Sequence, residues 1–301
     1  FYRMGFQEQV CFPIIDEEFQ SDNVINIAAV SDFGINENSI TTLKNIQSNN
    51  PEVILFAGDL GQSTAEKWIE SSEFFGTENV YVVIGDGDLP KERDKFREHY
   101  ALNNDYYSFD YENIHFLAIA TGDCTAADCI VISNDKMQLD FIRTDLSYAS
   151  DDPETDFTVV YMHLPMYSSR MAGSFVDLKN ELQPMFDLYG VDLVISGHKH
   201  AYERTHPVMF DNIITDYGKC SYNNPDGQIY ITVGTGGHSH STFKHKQPWS
   251  VITNHNDFGF LNIKVVNDGK TLYGEFMSNT GKIMDAFQIN LNSQSIKNLE
   301  G

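Results

Sequence analysis

The sequence has few basic residues and no long apolar run. It contains 20 Lys and Arg residues against 43 Asp and Glu residues, which gives a formal net charge of −23 at pH 7. A chain this acidic repels phosphate backbones and anionic membrane surfaces, so we expect no nucleic-acid partner. Because no apolar run reaches the roughly 20 residues of a membrane helix, we expect no membrane span in this chain.

Cysteine is also scarce, with residues only at Cys11, Cys124, Cys129 and Cys220. Cys124 and Cys129 have the spacing of a small disulfide loop, which leaves Cys11 and Cys220 as a second pair. Four cysteines allow three connectivities, and four free thiols in a reducing compartment are the alternative. The sequence opens on Phe1 rather than Met, which indicates that an initiator or signal segment was removed or left out. We therefore expect a secreted, extracellular or endomembrane lumenal protein with disulfides.

The chain lacks a Pro/Ser/Gly-rich linker, a low-complexity tract and a repeat, so we predict one domain over 23–293. Residues 1–22 then form an N-terminal extension and residues 294–301 a tail. Strands are predicted at 23–32, 51–59, 80–86, 156–163, 191–198, 227–237, 258–269, 270–278 and 284–291. Helices are predicted at 38–47, 64–75, 91–101, 135–149 and 177–190, and a hairpin at 106–122. The alternation predicts a parallel β-α-β-α-β start, followed by a mostly β region, in an α/β domain of mixed sheets with outer helices.

Metal-binding residue types follow several of these strands. The six side chains are Asp32, Asp59, Asp86, His163, His198 and His200. In an open α/β sheet, ligands bind beyond the carboxyl ends of the strands, so these side chains are expected to meet at one rim. Carboxylate oxygens and imidazole nitrogens are suitable ligands for Zn, Fe or Mn. Six ligands exceed the need of one tetrahedral ion, which favours a site for two ions.

Each of these residues alone has an ordinary structural explanation. An aspartate after a strand is more often a turn residue or a helix cap, and a single histidine such as His163 is more often a hydrogen-bonded core residue. The pair His198 and His200 is more specific, because residues two apart can face one centre from a tightly bent segment. Five strand ends with the same chemistry are difficult to explain by chance, so the joint pattern predicts a metal site.

The order of these motifs resembles the calcineurin-like metallophosphoesterases, and most closely their purple acid phosphatases. That family shows the motifs D-x-G, G-D-x-x-Y, G-N-H-D/E, V-x-x-H and G-H-x-H in this order. The corresponding segments here are DFG at 32–34, GDLGQ at 58–62, GDGD at 85–88, VYMH at 160–163 and GHKH at 197–200. The flanking segments HAYERTHPV and QIYITVGTGG are also similar, and the likeness covers residues 25 to about 240.

The resemblance implies a metallophosphoesterase-type four-layer αββα sandwich, with two mixed β-sheets flanked by helices. It implies a first ion held by Asp32, Asp59 and His200, and a second ion held by the residues Asp59, Asp86, His163 and His198. The ions would be divalent or trivalent Fe, Zn or Mn, clamping the phosphate oxygens and activating the attacking water. The implied activity is phosphomonoester hydrolysis, with a phosphorylated small molecule or a phosphoprotein as the substrate.

The chain departs from the family pattern at four places. Gln62 replaces the tyrosine whose bond to iron gives the purple colour, so we expect a protein without that colour. Asp86 replaces an asparagine and keeps an oxygen ligand. Gly87 replaces the histidine that contacts the substrate phosphate and assists the leaving group. Further histidines are often found about nine residues after His163, where this chain has Ala172 and Gly173.

Other residues could substitute for the missing groups. Asp88 is a candidate acid, although two neighbouring ions would keep it ionised. His206, His238 and His240 follow nearby strands, and the segment HSH at 238–240 could enter the site or form a polar surface loop. Arg170 could bind a phosphate or be a solvated loop residue.

These departures lead to three hypotheses about function. The first is a metallophosphoesterase whose activity is weakened or lost, because general acid assistance is typically worth 10²–10⁴ in rate. The second is a pseudophosphatase that keeps the fold and acts as a binding or assembly protein with a protein partner. The third, a sheet domain with aspartate turns and no relation to a metal site, fits the joint pattern least well.

Overall fold

The computed structural model describes residues 24–61, 64–121, 124–125, 128–129, 135–170, 173–243, 245–266 and 269–291. The predicted extension over 1–22 and the tail over 294–301 lie outside these residues, so the domain limits stay a prediction. Within the described part of the chain, no helix is long and apolar enough to cross a membrane.

The first of two large sheets has seven strands, numbered here in chain order through the whole chain. They are β1 (Ile25–Val30), β2 (Val53–Ala57), β3 (Val80–Val83), β13 (Ser221–Asn223), β16 (Gly259–Val266), β17 (Thr271–Ser278) and β18 (Ile283–Asn290). Their spatial order is β13-β18-β17-β16-β1-β2-β3. Strands β1, β2 and β3 are parallel, and β1 pairs with β16 in the antiparallel sense. The β-α-β-α-β prediction for the start of the chain is therefore confirmed.

The second sheet also has seven strands and carries the later part of the site. They are β4 (Tyr107–Tyr111), β5 (Ile114–Ile119), β8 (Phe157–Met162), β9 (Leu193–Ser196), β10 (Tyr202–Thr205), β14 (Ile229–Val233) and β15 (Ser250–Asn254). Their order is β15-β10-β14-β9-β8-β5-β4, with β5, β8, β9 and β14 parallel. Two small ladders complete the strands: β6 (Cys124–Thr125) with β7 (Asp128–Cys129), and β11 (Val208–Met209) with β12 (Asn212–Ile213).

Five α-helices lie among the residues that the structure describes. They are α1 (Glu37–Ser48), α2 (Ala65–Ser72), α3 (Arg93–His99), α4 (Lys136–Asp151) and α5 (Val176–Tyr189), with 3₁₀ turns at Glu73–Phe75 and Pro90–Glu92. The side chain of Asn36 caps α1 by accepting from the first-turn backbone, and Asp135 caps α4 in the same way. Helix α5 ends at Gly190, whose φ of 68° is the left-handed conformation that glycine adopts without strain.

Alternation along single strands shows that the sheets lie face to face with helices outside. In β1, Ile27 and Ala29 belong to the core between the sheets, whereas Ala28 and Val30 pack with residues of α1 and α2 such as Leu43. Strand β8 alternates in the same way between the central core and a second outer core under α4 and α5. Because successive strand residues face opposite sides, each sheet has a buried surface on both faces. The predicted four-layer αββα sandwich is confirmed.

The element predictions differ from the structure mainly at their ends. The helix predicted at 64–75 ends at Ser72 and continues as a 3₁₀ turn. The strand predicted at 191–198 spans only Leu193–Ser196, since the chain turns away to form the histidine segment. Strand β10 was not predicted as a separate strand. Strands β16 and β17 form the expected hairpin, although Asn267 and Asp268 of its turn lie outside the described residues.

Candidate metal centre

Parallel strands of both sheets end at the same rim of the sandwich, and the six predicted ligands follow those ends. Two of the aspartates come two residues after β1 and β2, and the third comes three residues after β3. The histidines follow β8 and β9 of the second sheet. The structure therefore brings side chains from two different sheets into one cluster, as the sequence predicts.

Two groups of three donors lie close enough to hold metal ions. Asp86, His163 and His198 form one group, and Asp32, Asp59 and His163 form the other, with ligand atoms within 4.8 Å of one another. His163 Nε2 lies 2.7 Å from Asp86 Oδ1 and 3.3 Å from Asp59 Oδ1. His198 Nδ1 lies 2.8 Å from Asp86 Oδ1. The groups share His163, so they form one continuous site.

A fully buried carboxylate oxygen of this cluster faces an imidazole nitrogen. Nε2 of His200 lies 3.2 Å from Oδ1 of Asp32, which brings the sixth predicted ligand to the site. A carboxylate oxygen that faces an imidazole nitrogen is a suitable pair of ligands for Zn, Fe or Mn. The donor set therefore fits the predicted metal ions.

His163 is oriented by a backbone carbonyl. Its Nδ1 lies 2.8 Å from the Ala57 carbonyl oxygen, so Nδ1–H donates there and Nε2 faces the carboxylates. Burial alone would lower the pKa of His163, but the charge of Asp59 and the hydrogen bond to Asp86 raise it to about 10. The environment of Nε2 therefore favours a positive charge, whether a proton or a metal ion carries it.

The three carboxylates respond differently to this environment. Burial opposes the charge of Asp86, but hydrogen bonds from His163 and His198 hold its pKa well below its usual range. Burial also opposes the charge of Asp32, whose pKa is nevertheless about 2 because of the nearby His200 and His163. Burial raises the pKa of Asp59, even though the charge of His163 opposes that shift. Positive groups beside Asp32 and Asp86 thus maintain two anionic ligands.

Tight backbone turns orient three of the predicted ligand side chains. Asp32, Asp59 and His198 have φ values of 66°, 53° and 64°, in the left-handed region that costs a non-glycine residue about 1 kcal/mol or more. Gly58, with φ 87°, lies against His163, since a Cβ added there would be 2.6 Å from its Nδ1. The first two turns are joined, because the Phe33 amide donates to the Asp59 carbonyl at 2.9 Å.

The sequence comparisons agree with this geometry. Residues 25–202, more than half of the chain, match the sequence model of the calcineurin-like phosphoesterase family. The chain belongs to that family. Residues 227–286 of this phosphoesterase match a second model, described as iron/zinc purple acid phosphatase-like protein C, which supports the closer likeness to purple acid phosphatases.

Individual relatives of the phosphoesterase chain are similar over parts of their length. Purple acid phosphatase 22 of Arabidopsis thaliana is 28% identical over 85% of this chain and 60% of its own length. Another Arabidopsis protein, named probable inactive purple acid phosphatase 1, is 34% identical over 41% of this chain and 21% of its own length. A purple acid phosphatase from yellow lupin (Lupinus luteus) has the same fold, with a TM-score of 0.78, 22% identity and coverage of 91% of this chain and 55% of that one. The chain thus spans 60% or less of each of these three relatives.

The structure describes some of the positions at which the chain departs from the family pattern. The Gly87 amide donates to Asp59 Oδ1 at 2.7 Å, and no side chain is present at this position. The Gly87 backbone does not have the positive φ that favours glycine. Gln62 and Ala172 lie outside the described residues. Gly173 is described and a Cβ there would meet nothing within 4 Å.

Asp88 is buried between the loops of the candidate metal centre. Its Oδ1 accepts from the Leu60 amide and its Oδ2 accepts from the Gly85 amide, both at 2.8 Å. Burial and the charge of Asp59 raise the pKa of Asp88 to about 7. Because both carboxyl oxygens are occupied by backbone donors, this placement favours a structural link between the loops after β2 and β3 over the role of an acid.

The histidines considered as substitutes lie in three different places. The His238 ring lies 4.8 Å from the His200 ring, and Ser239 Oγ is within hydrogen-bond distance of both. His240 instead stacks on Phe258, with ring centres 3.8 Å apart. The amide of His206 donates to the Trp249 carbonyl at 2.8 Å, beyond the far end of β10. Only His238 therefore reaches the site through a ring contact with a predicted ligand.

Two cations lie beside the candidate metal centre, and the sequence alone indicates only one of them, Arg170. Arg170 is half-buried in the loop between β8 and α5, within electrostatic reach of Asp32. Lys199, between the two histidines of the GHKH motif, is buried, and burial together with the charge of Arg170 lowers its pKa to about 8. The signal that could have identified Lys199 is a cationic residue between the two histidines of a metal-ligand motif.

Proposed function

We propose that this chain is a metal-dependent phosphomonoester hydrolase whose turnover is weakened by the missing imidazole at Gly87. The observation that carries the proposal is the cluster of carboxylates and imidazoles, in which two groups of three donors share His163. A metal cation is the partner that such a donor set fits best, and family membership supports phosphoester chemistry.

The six ligands divide between two ions according to the resemblance. Asp32, Asp59 and His200 would hold one ion, and Asp59, Asp86, His163 and His198 would hold the other. When bound, such ions polarise phosphoryl oxygens and lower the pKa of water. The Ala57 carbonyl keeps His163 Nε2 directed at the carboxylates, and Ser239 Oγ, 2.6 Å from His200 Nδ1, keeps the opposite nitrogen of His200 directed at Asp32.

The weakened rate follows from the absence of a side chain that could protonate the leaving oxygen. Gly87 offers no proton donor, and the two oxygens of Asp88 accept backbone hydrogen bonds. Since general acid catalysis typically contributes 10²–10⁴ in rate, loss of that group leaves a slow enzyme. Phosphorylated small molecules or phosphoproteins remain the substrate class.

A pseudophosphatase is the second candidate, and the same position favours it. Without a side chain at Gly87, the site could bind metal and phosphate with no turnover and serve in binding or assembly. One relative is named as probably inactive, which supports this alternative. A secreted or lumenal location is also proposed, supported by the spacing of Cys124 and Cys129 in the sequence, which suits a small disulfide loop. The disulfide connectivity stays a prediction.

Metal analysis combined with a phosphatase assay separates the two candidates. The chain is loaded with Zn, Mn or Fe, its metal content is measured, and an aryl phosphate is assayed from about pH 4 to 8. We expect bound metal and slow turnover that Asp59→Ala and His163→Ala both abolish, whereas Asp140→Ala on the exposed face of α4 changes neither. Bound metal with no turnover would favour the pseudophosphatase, and a wild-type chain that binds no metal would refute the hydrolase and favour a scaffold.

A further inference from the structure

The ammonium group of Lys199 is held next to the metal site by an aromatic ring. Lys199 is only 2% exposed, and its Nζ lies 4.8 Å from the centre of the Phe175 ring. The same ring lies 5.3 Å from the ring of His198, a predicted ligand. Phe175 immediately precedes α5, so an element from another part of the chain fixes the position of this cation. The cation–π contact explains why the ammonium group tolerates burial, but it does not explain why a positive charge lies at this position.

Neither Lys199 nor its cationic neighbour has an anionic partner at contact distance. Among the residues that the structure describes, no acceptor hydrogen-bonds to Lys199 Nζ or to the Arg170 guanidinium, and neither forms an ion pair. The two groups are near enough to repel each other, and Asp32 and Asp86 attract Lys199 only from a distance. In contrast, the fully buried Arg204 has a carboxylate partner at 2.6 Å. The lack of such a partner for Lys199 and Arg170 is unexpected in a chain with 43 acidic and 20 basic residues.

Two adjacent cations without a partner are unfavourable unless an anion joins them. Moving a cation out of water costs several kcal/mol without a compensating charge, and like charges add to that cost. The distant carboxylates Asp32 and Asp86 are ligands of the proposed ions, so their charge would be shared with metal. An anion bound between Lys199 and Arg170 would supply the missing partner.

We propose that Lys199 and Arg170 bind the phosphate group of the substrate beside the metal centre. The resemblance expects further histidines at about residues 172 and 173, close in sequence to Arg170 and Phe175. Lys199 and Arg170 replace their positive charge but not their ability to serve as imidazole acids. The chain therefore retains affinity for a phosphate dianion while losing leaving-group assistance. This inference rests on the proposed function, because the same metal ions would share the phosphate.

Phosphate binding can be measured without relying on turnover. Inorganic phosphate is titrated calorimetrically into the metal-loaded full chain, and metal content is measured in parallel for every variant. Lys199→Met removes the charge and keeps the length of the side chain, and Lys199→Arg restores the charge. Lys179→Met is the matched control, because Lys179 also lies over an aromatic ring, at 5.6 Å from Tyr167, but has a carboxylate partner, Asp211, at 2.8 Å.

We expect Lys199→Met to weaken phosphate binding about 10- to 100-fold with unchanged metal content, as for a lost hydrogen bond to a charged group. Arg170→Met should also weaken phosphate binding, and Lys199→Arg should recover most of the affinity. Unchanged phosphate affinity in metal-loaded Lys199→Met, or an equal loss in Lys179→Met, would overturn this inference alone. If Lys199→Met and Lys199→Arg both fold but lose metal, Lys199 serves the carboxylates and the inference is wrong. A wild-type chain without metal would overturn the proposed function together with this inference.

Discussion

Arg204 and Asp285 form a buried ion pair that joins the two β-sheets through the core. Arg204 Nε lies 2.6 Å from Asp285 Oδ2, and Arg204 Nη2 lies 2.8 Å from Asp285 Oδ1. Both side chains are at most 1% exposed, and the Tyr202 hydroxyl donates to the same carboxylate at 2.8 Å. Strand β10, which directly follows the histidine segment of the site, is thereby attached to β18 of the opposite sheet.

Removing the carboxylate of this pair should strongly destabilise the fold. Asp285→Ala leaves the Arg204 charge buried without a partner, so we expect a loss of about 3–5 kcal/mol in the free energy of unfolding. Denaturant unfolding measures this loss. Asp140→Ala is the control, because its partner Arg143 and Asp140 itself are both about half exposed, and its effect should stay below about 1 kcal/mol. Similar losses in the two variants would contradict the proposed importance of the buried pair.

Gly58→Ala should disrupt the site beyond its effect on backbone strain. The added Cβ would lie 2.6 Å from His163 Nδ1, in a backbone with φ 87°. Gly281→Ala is matched for backbone conformation, with φ 78°, and its Cβ would meet nothing within 4 Å. We expect the control to lose about 1 kcal/mol of stability with normal metal content. Gly58→Ala should in addition lose metal, which is measured by elemental analysis of the purified protein.

Asp88→Asn should loosen the connection between two loops that carry candidate metal ligands. An amide can accept from only one of the Leu60 and Gly85 amides, and its NH₂ group would face the other donor. We expect a loss of about 2 kcal/mol in the free energy of unfolding and weaker metal binding, measured by denaturant unfolding and by metal titration. Asp94→Asn, on an exposed side chain, should change neither. If Asp88→Asn changes neither the free energy of unfolding nor metal binding, Asp88 is already protonated in the folded protein and is free to act in another role.

The stability contributed by His115 should depend on pH. Burial alone would lower the pKa of His115, but hydrogen bonds to Asp145 and Asp110 raise it. A histidine whose pKa is raised by folding stabilises the protein fully below the unfolded pKa of about 6.5, and this contribution is lost as pH rises through the folded pKa. His115→Gln should therefore cost on the order of 1 kcal/mol near pH 5.5 and less near pH 9, in unfolding experiments at both pH values. A cost that is equal at both, or larger at the higher pH, would show that His115 is neutral in the folded state.

Restoring the family residues after β3 should raise catalytic activity. The Gly87 backbone does not have a positive φ, so it accepts a side chain without left-handed strain. The double variant Asp86→Asn, Gly87→His supplies an imidazole acid, and we expect an increase of about 100-fold in kcat on an aryl phosphate. Gly87→Ala with Asp86→Asn is the control that adds a side chain without an acid. If the histidine variant is no faster than this control, the missing imidazole is not the main cause of weak activity.

The strands that the sequence predicts best are those whose residues are all apolar. Strand β2 (Val53–Ala57) is buried on both faces, and its sequence VILFA shows this directly. Strand β10 has the sequence YERT, and its two charged residues are typical of an exposed segment. They are buried because Glu203 is bound by Ser169, 34 residues away, and Arg204 by Asp285, 81 residues away. A local pattern does not contain such distant partners.

The site residues also divide into those that a local pattern predicts and those that depend on distant partners. Asp32, Asp59 and His163 could be predicted because carboxyl ends of parallel strands meet at one rim, whichever sheet they belong to. The role of Lys199 could not be predicted in this way, since it depends on Phe175 from the loop before α5. His240 was a candidate for the site, but it stacks on Phe258, and this contact forms only after the chain has folded.

The left-handed backbone at Asp32, Asp59 and His198 limits how the donor set of this candidate centre could be redesigned. Of the common ligand residues, aspartate and histidine tolerate this conformation, as do asparagine and glycine, whereas bulky or β-branched residues do not. Exchange of ligands at these three positions is therefore restricted to a small set of side chains. Asp86, His163 and His200 have no such backbone restriction, so a change of metal preference is easier to engineer at these three positions.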